Sequence, residues 1–485
     1  MEGVSVGLLA LGAIIALIVK VFVLPKLWYA DFPGPKPESY LFGNTEFAEA
    51  SNHVIQLQEK WMREHGKTYQ SWICHRRLIV TVDVENVRFC LLKKKLRKSD
   101  AAYQNIKVVF GSGLLVQPDP AHRINRRALS KVFHGEFVPN FHKAIIEELE
   151  ILCSRLDAAA ENGEVFEPEA IISNMVGDAT GRSLFGQSYG YQSGEHALVK
   201  DLIEIANEEA WKFILYPISK LLRPSKQKRE ILVEYKRRNQ ALLDERRREH
   251  EEQQTPKSNP DLLDALIESG RPDREILGEI GIFQFAALDT TSRAISAALF
   301  ELSGSQDATL SLQKEADELI NDSDLIVGFD KVDESPFSRA VWMETLRMHS
   351  PAGHGSYRTT DEDLTLPSGH FVPKNSDICF PMHLIHYDED LWEQPRSFKP
   401  DRFLHPSSGR RPLTGYQPFS QGERNCIGQF LANHVGRVTL LTLHHRYEWK
   451  LFGDRAKFGD FGDFGLRLAT EDGLESPRMT ISRRH

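Results

Sequence analysis

The run Phe419-Ser-Gln-Gly422-Glu-Arg424-Asn-Cys426-Ile-Gly428 constrains this chain more than any other stretch. Two glycines flank a lone cysteine, with an arginine two residues before it. Glycine lets a backbone turn sharply or approach a flat ligand closely. After Gly428 the pattern turns helical, through Gln429-Phe430-Leu431-Ala432. Cys426 therefore lies near a helix N-terminus, where partial positive charge favours thiolate over thiol. A thiolate in such a turn can serve as the axial ligand of a haem iron. The competing reading of a lone cysteine is a small buried hydrophobe.

The rest of the chain narrows the choice. With 485 residues, 41% apolar and 26% charged, the composition is that of a folded enzyme. A net charge of −8 argues against a nucleic-acid binder, which would carry a basic field. Cys74, Cys90, Cys153, Cys379 and Cys426 are scattered and odd in number, with no C-x-x-C. They make neither a disulfide framework nor a zinc cluster, and suit a reducing compartment.

From Gly3 to Val19 there is no charge, and after Lys20 the apolar run resumes through Leu24. That is about the ~20 residues that span a bilayer. Lys26 precedes Leu27-Trp28-Tyr29, aromatic residues of the kind found at a membrane interface. A cleaved signal peptide would start basic and have a shorter apolar core. Here the start carries Glu2 and the positive charges follow the span, which places the body of the protein on the cytoplasmic side. The expected organisation is a transmembrane anchor over 1–26, a proline-rich connector over 27–37 (Asp31-Phe-Pro-Gly-Pro-Lys-Pro37), and one domain over 38–485.

Within that domain the pattern predicts helix over 38–66 and short strands over 68–83. Helix is expected over most of 140–220 and over 228–252, a loop over Thr255–Pro260, and a long helix from about Asp273 to Leu302. A strand-rich zone follows over about 355–385, with Pro367-Ser-Gly369 as a turn, then the cysteine loop and a final helix. The content is mainly α with a minor β region.

Other residues carry chemistry. The long helix contains Ala286-Ala287-Leu288-Asp289-Thr290-Thr291. Two alanines allow a planar group or dioxygen to lie against it. An alcohol beside an acid can deliver protons to bound dioxygen. Threonine inside a helix can also bond backward to a carbonyl and distort the turn. Glu344-Thr-Leu-Arg347 sets opposite charges on one helix face, a pair worth little if exposed.

The spacing F-x-x-G-x-R-x-C-x-G resembles the haem-binding loop of the cytochrome P450 family. Asp31–Pro37 resembles the hinge that follows the anchor in its microsomal members. Ala286–Thr291 is similar to the family's A-G-x-D-T-T motif, with Ala287 in place of glycine. Glu344–Arg347 matches E-x-x-R, and Phe398-Lys-Pro-Asp-Arg402-Phe matches the downstream motif that completes a buried network. His122-Arg-Ile-Asn-Arg126 resembles the W-x-x-x-R helix, with histidine where tryptophan is usual.

The resemblance implies a triangular α prism with small β sheets behind an N-terminal transmembrane helix. It implies haem b (iron protoporphyrin IX) ligated by Cys426. Arg126, Arg358, Arg424 and His122 answer the propionates, with Phe419, Gly428 and Ala286 beside the cofactor. Asp289 and Thr290 are the implied catalytic pair. It implies O2 as cosubstrate, with electrons from NADPH through NADPH-cytochrome P450 reductase. Arg123, Arg127 and Lys131 are expected on the docking surface. The expected location is the endoplasmic reticulum membrane, and the expected substrate is lipophilic. The expected pocket roof spans residues near 95–115 and 195–225, including the apolar run Trp211–Ile218. Two alternatives stand beside monooxygenation. One is a haem-thiolate isomerase, dehydratase or peroxide-driven enzyme, against which the acid–alcohol pair argues. The other is a non-catalytic haem sensor.

Overall fold

The computed structural model describes residues 11–46, 53–133, 138–195, 198–208, 225–252, 260–320, 326–404, 415–461, 466–471 and 475–484. The first helix, α1 (Leu11–Trp28), is long and apolar enough to cross a bilayer and is almost wholly exposed. Its 18 residues span roughly 27 Å at the α-helical rise. Around Lys20 the helix widens to a π turn over Val19–Val23.

The end of α1 is fastened to the domain. Lys26 is buried, its ammonium donating to the carbonyls of Phe22 (2.9 Å) and Cys74 (2.6 Å) over the Trp72 ring. The proline-rich segment then runs along the first strand. The Gln70 side-chain amide donates to the carbonyls of Tyr29 and Phe32, and the Arg77 guanidinium lies over both of their rings.

Helices α2 (Val54–His65), α3 (Ala121–Leu129), α4 (Val138–Asn162), α5 (Pro168–Phe185), α6 (Leu198–Glu208) and α7 (Lys226–Glu252) precede the central α8 (Asp273–Ser303). After it come α9 (Gln306–Leu319), α10 (Pro336–Met348) and α11 (Gln429–Arg446). Helix covers Val54–His65 but not residues 38–45; Glu46 is helical, and residues 47–52 lie outside the described residues. Ser39 and Gly43 instead form a bridge, because Asn44 bonds to the Trp72 backbone and draws the segment onto the sheet.

α8 starts behind Pro272 with Asp273 and Glu275 in its first turn, where carboxylates complement the helix dipole. Its Ile276, Ile280, Phe283, Ile295 and Leu299 share one core with Ile172 and Met175 of α5, Ile145 and Leu149 of α4, and Leu440 and Leu441 of α11. Each such fully buried side chain contributes roughly 1.5–3 kcal/mol of transfer free energy. α8 is thereby the fixed axis against which the cysteine-bearing segment is held.

The strands are β1 (Thr68–Ile73), β2 (Arg76–Thr81), β3 (Arg97–Lys98), β4 (Ser356–Thr359), β5 (Leu364–Thr365), β6 (Phe371–Val372) and β7 (Asp377–Phe380). The main sheet has the order β1-β2-β7-β4-β3, with β2 and β7 parallel and the other neighbours antiparallel. β5 and β6 make the hairpin whose turn holds Gly369. Among the described residues four strands follow α11, which the sequence pattern does not anticipate: β8 (Tyr447–Phe452), β9 (Phe458–Phe461), β10 (Arg467–Thr470) and β11 (Arg478–Arg483). They pair as β8–β11 and β9–β10. The Thr255–Pro260 loop lies outside the described residues, except Pro260.

Candidate active site

The cysteine loop is a tight turn with residues in unusual conformations. Ser420 and Gly422 have φ of +61° and +77°. The Cys426 amide donates back to the Phe419 carbonyl at 2.9 Å and closes the turn. A methyl group on Gly422 would sit 2.7 Å from the Leu91 carbonyl oxygen, so glycine is required there. Gly428 has φ −83° and caps α11; a side chain there would only touch the Cys426 sulfur at 3.9 Å. Its glycine keeps the surroundings of the sulfur open rather than serving the backbone.

Cys426 is solvent-accessible by area yet lies deep in the molecule, so its accessible surface faces interior space. Burial raises its thiol pKa; a hydrogen bond from the Gly428 amide and the charges of Arg126 and Lys98 pull it back down. The helix start alone does not settle the thiolate. A cation at the sulfur, such as a bound metal ion, would.

Beside the sulfur is a cluster of basic side chains, buried or nearly so. Arg358 of β4 is 1% exposed, and its Nη2 has no hydrogen-bond partner among the described residues. His122 of α3 is 3% exposed, and its Nδ1 likewise makes no hydrogen bond among the described residues. Burial and the charge of Arg424 push His122 down to about 4, so it is neutral. Arg424 donates to the Gln117 carbonyl at 2.7 Å and lies 3.2 Å from the Asp119 carboxylate. Arg126 spends both terminal nitrogens on Asn425, one on its carbonyl and one on its side chain at 2.7 Å. It braces the loop from below.

Lys98 joins Arg358, Arg424 and Arg126 as a fourth basic group that the sequence pattern does not single out. Lys98 of β3 stands in register with Arg358, and burial beside Arg358 and Arg424 holds it well below the ordinary lysine range. Burial likewise lowers Arg126, Arg358 and Arg424. Cations gathered with free donors at an interior space call for a polyanion. The two propionates of a haem, with its iron on Cys426, fit that demand.

The E-x-x-R network is buried and complete. Arg347 donates to both Glu344 oxygens at 2.8 and 2.9 Å, and both residues have no exposed surface. Arg402 adds a third contact at 3.0 Å, and the Lys399 amide a fourth at 2.9 Å. His386 extends the network to the cysteine segment. Its Nδ1 lies 3.1 Å from the Arg347 carbonyl, and its Nε2 accepts from the Gln417 amide at 3.1 Å. Burial holds His386 neutral, at about 3.

On α8, Phe285, Ala286, Ala287, Asp289 and Thr290 are part-accessible while residues around them are buried, which marks the face turned to interior space. Thr290 donates to the Ala286 carbonyl at 2.6 Å. Asp289 pairs with Arg293, one turn along, at 2.8 Å. Burial raises Asp289, against the pull of Arg293 and Arg467. The acid and alcohol are adjacent in sequence but each is engaged by its own helix. Of the pocket roof, Trp211–Ile218 lies outside the described residues. On the described side Phe110 packs on Phe285, with ring centroids 4.7 Å apart.

The sequence model of the family described as Cytochrome P450 matches residues 33–466. Cytochrome P450 4d2 of Drosophila melanogaster is 25% identical over 478 residues, covering 91% of this chain and 93% of its own length. Cytochrome P450 4A10 of Mus musculus is 25% identical, covering 89% and 88%. Probable cytochrome P450 4s3 of Drosophila melanogaster is 28% identical, covering 86% of each. With the family pattern running through nearly the whole chain and through the cysteine loop, the protein belongs to the cytochrome P450 family of haem monooxygenases.

Proposed function

We propose that this chain is a membrane-anchored monooxygenase that oxidises a lipophilic small molecule with electrons from NADPH, relayed by a reductase. The observation that carries the reading is the meeting of an interior-facing Cys426 with a cluster of basic side chains, of which Arg358, Arg424 and His122 have unspent nitrogens among the described residues. Cys426 is the iron ligand. Arg358, Arg424, His122 and Lys98 hold the propionates, while Arg126 holds the loop through Asn425. Glu344, Arg347, Arg402 and His386 hold the same loop from the other side.

Haem, when bound here, supplies dioxygen activation and oxygen insertion into a substrate C–H bond. The chain contributes position and protons. Ala286 and Ala287 leave room over the α8 face. Thr290 presents a hydroxyl there and can turn from the Ala286 carbonyl toward a ligand. Asp289, its carboxyl raised by burial, can pass a proton when it leaves Arg293. The apolar group of Ile106, Val109, Phe110, Val116 and Leu202 beside this face supports a lipophilic substrate.

The expected surroundings are the endoplasmic reticulum membrane on one side and a reductase on the other. Leu27, Trp28, Tyr40, Leu41 and Phe42 are exposed next to the end of α1, as suits residues lying at a bilayer. Arg123, Arg127 and Lys131 are exposed on and after α3, the helix that braces the cysteine loop. They offer a basic surface for an acidic electron donor.

The test is a reduced-CO difference spectrum of the parent and Cys426→Ala, followed by reductase-dependent NADPH consumption against a panel of lipophilic compounds. A thiolate spectrum lost in the variant, with substrate-stimulated consumption in the parent, is the expected result. A thiolate spectrum that survives in Cys426→Ala would refute the ligand assignment. A parent that never couples NADPH use to product would refute the monooxygenase reading.

A further inference from the structure

Glu279 lies on α8 ten residues before Asp289, about 15 Å along the helix axis, and has no exposed surface. A buried carboxylate is costly unless its oxygens are answered. Both are answered here by a single loop. Oε2 accepts from the Leu114 backbone amide at 2.8 Å, and Oε1 accepts from the Gln117 side chain at 3.1 Å. The approach depends on glycine on both sides. A methyl group on Gly113 would lie 2.6 Å from the Gly278 carbonyl and 2.9 Å from Glu279 Oε2. One on Gly278 would lie 3.0 Å from the Ser112 amide. Backbone therefore packs on backbone, and the carboxylate closes the seam.

Gln117 is the junction of this arrangement. Its Nε2 serves Glu279 and the Ser112 carbonyl (3.0 Å), and its Oε1 accepts from Asn125 of α3 at 2.6 Å. Its backbone carbonyl accepts from Arg424 at 2.7 Å. Two residues on, Asp119 faces Arg424 at 3.2 Å and His122 at 3.8 Å. The loop that Glu279 pins thus sets two of the groups assigned to the propionates.

We propose that Glu279 is a positioning residue for the cofactor: through Leu114 and Gln117 it fixes the 111–119 loop, and so sets Arg424 and His122 at the haem edge. This rests on the propionate assignment above. The charged groups facing the carboxylate are Arg271, 3.7 Å away, and Glu275, one turn earlier on α8. Burial outweighs the loop's hydrogen bonds and Arg271, and lifts Glu279 to about 7. The carboxylate that accepts two hydrogen bonds is then lost near neutral pH.

The experiment measures haem loss from the holoprotein to an apomyoglobin acceptor, at pH 8 and pH 6. In Glu279→Gln the new amide nitrogen faces the Gln117 amide nitrogen. Gln117 cannot flip, because Asn125 and Ser112 fix its orientation. Haem loss at pH 8 should rise about tenfold, the lower end of what outer-shell partners of a metal site cost when removed. At pH 6 the parent, with Glu279 protonated, should approach the variant. Glu279→Gln combined with Gln117→Glu restores one buried carboxylate opposite one amide but leaves the Ser112 carbonyl without its donor, and should recover only part of the loss. An unchanged rate, or a parent-to-variant ratio equal at both pH values, overturns the proposal. If Glu279→Gln does not accumulate, Gln117→Met removes that contact together with those to Ser112 and Asn125 and must show at least the same acceleration. Arg424→Gln separates the two layers. If it leaves haem loss unchanged, the propionate assignment falls, and this proposal with it. If it accelerates loss and Glu279→Gln does not, only the positioning role falls.

Discussion

His349 ends α10 with its imidazole held between two carboxylates, Nε2 at 2.8 Å from Glu301 of α8 and Nδ1 at 2.9 Å from Asp460 of β9. The ring is 8% exposed. Burial alone would lower its pKa, but Asp460 and Glu301 overcome that and raise it to about 10. Folding therefore binds a proton that the unfolded chain releases near its ordinary histidine value. Stability from this group is complete below pH ~6.5 and is lost as pH rises through about 10. At ~1.36 kcal/mol per unit, the three units between pH 7 and the folded value give about 4 kcal/mol; at pH 9 about 1 kcal/mol remains. His349→Gln cannot take the charge and leaves Asp460 without its imidazolium. Urea unfolding of parent and variant, followed by far-UV circular dichroism, should show a gap of about 4 kcal/mol at pH 7 that narrows to about 1 kcal/mol at pH 9. A gap that is the same at both pH values would show that His349 is neutral and merely packed, and the reasoning would fail.

Four further outcomes are expected. Glu344→Ala strands the buried Arg347 and weakens Arg402, which should cost about 3–5 kcal/mol in unfolding and diminish the thiolate CO spectrum. Gly422→Ala forces a positive φ on a side chain that meets the Leu91 carbonyl; a loss of about 1–3 kcal/mol with faster haem release should follow, read by unfolding and by Soret decay. Thr290→Ala removes the hydroxyl that faces the interior. It should leave the spectrum intact while raising the NADPH consumed per product formed, measured as coupling ratio. Charge reversal at Arg123, Arg127 and Lys131 should slow reduction by the reductase several-fold at low salt, with the effect fading at high salt, as seen by stopped-flow at the Soret band.

The cysteine loop, the acid–alcohol pair and E-x-x-R are short segments whose chemistry depends on neighbours within one turn, and such spacing survives in a linear string. The long helix of α8 and the hairpin of β1 and β2 were legible for the same reason: their hydrophobic periods and turn residues are local. The helix expected from residue 38 was not, because a long-range bond from Asn44 to Trp72 overrides a local pattern. The strands after α11 are short, and their partners lie in other segments.

By itself, then, the sequence determined the family and the reaction class, and it singled out Cys426 as the residue to test as iron ligand. The tertiary structure decided which charges share the site. Lys98 sits in the run Lys93-Lys-Lys-Leu-Arg-Lys98, where nothing distinguishes it from its exposed neighbours until β3 pairs with β4 and sets it opposite Arg358. Glu279, His349 and His386 are single polar residues in helical stretches, and their partners lie dozens to hundreds of positions away. Burial is what gives them their force: in water a carboxylate or imidazole costs nothing to leave alone, and inside the fold each must be answered by a particular donor or charge.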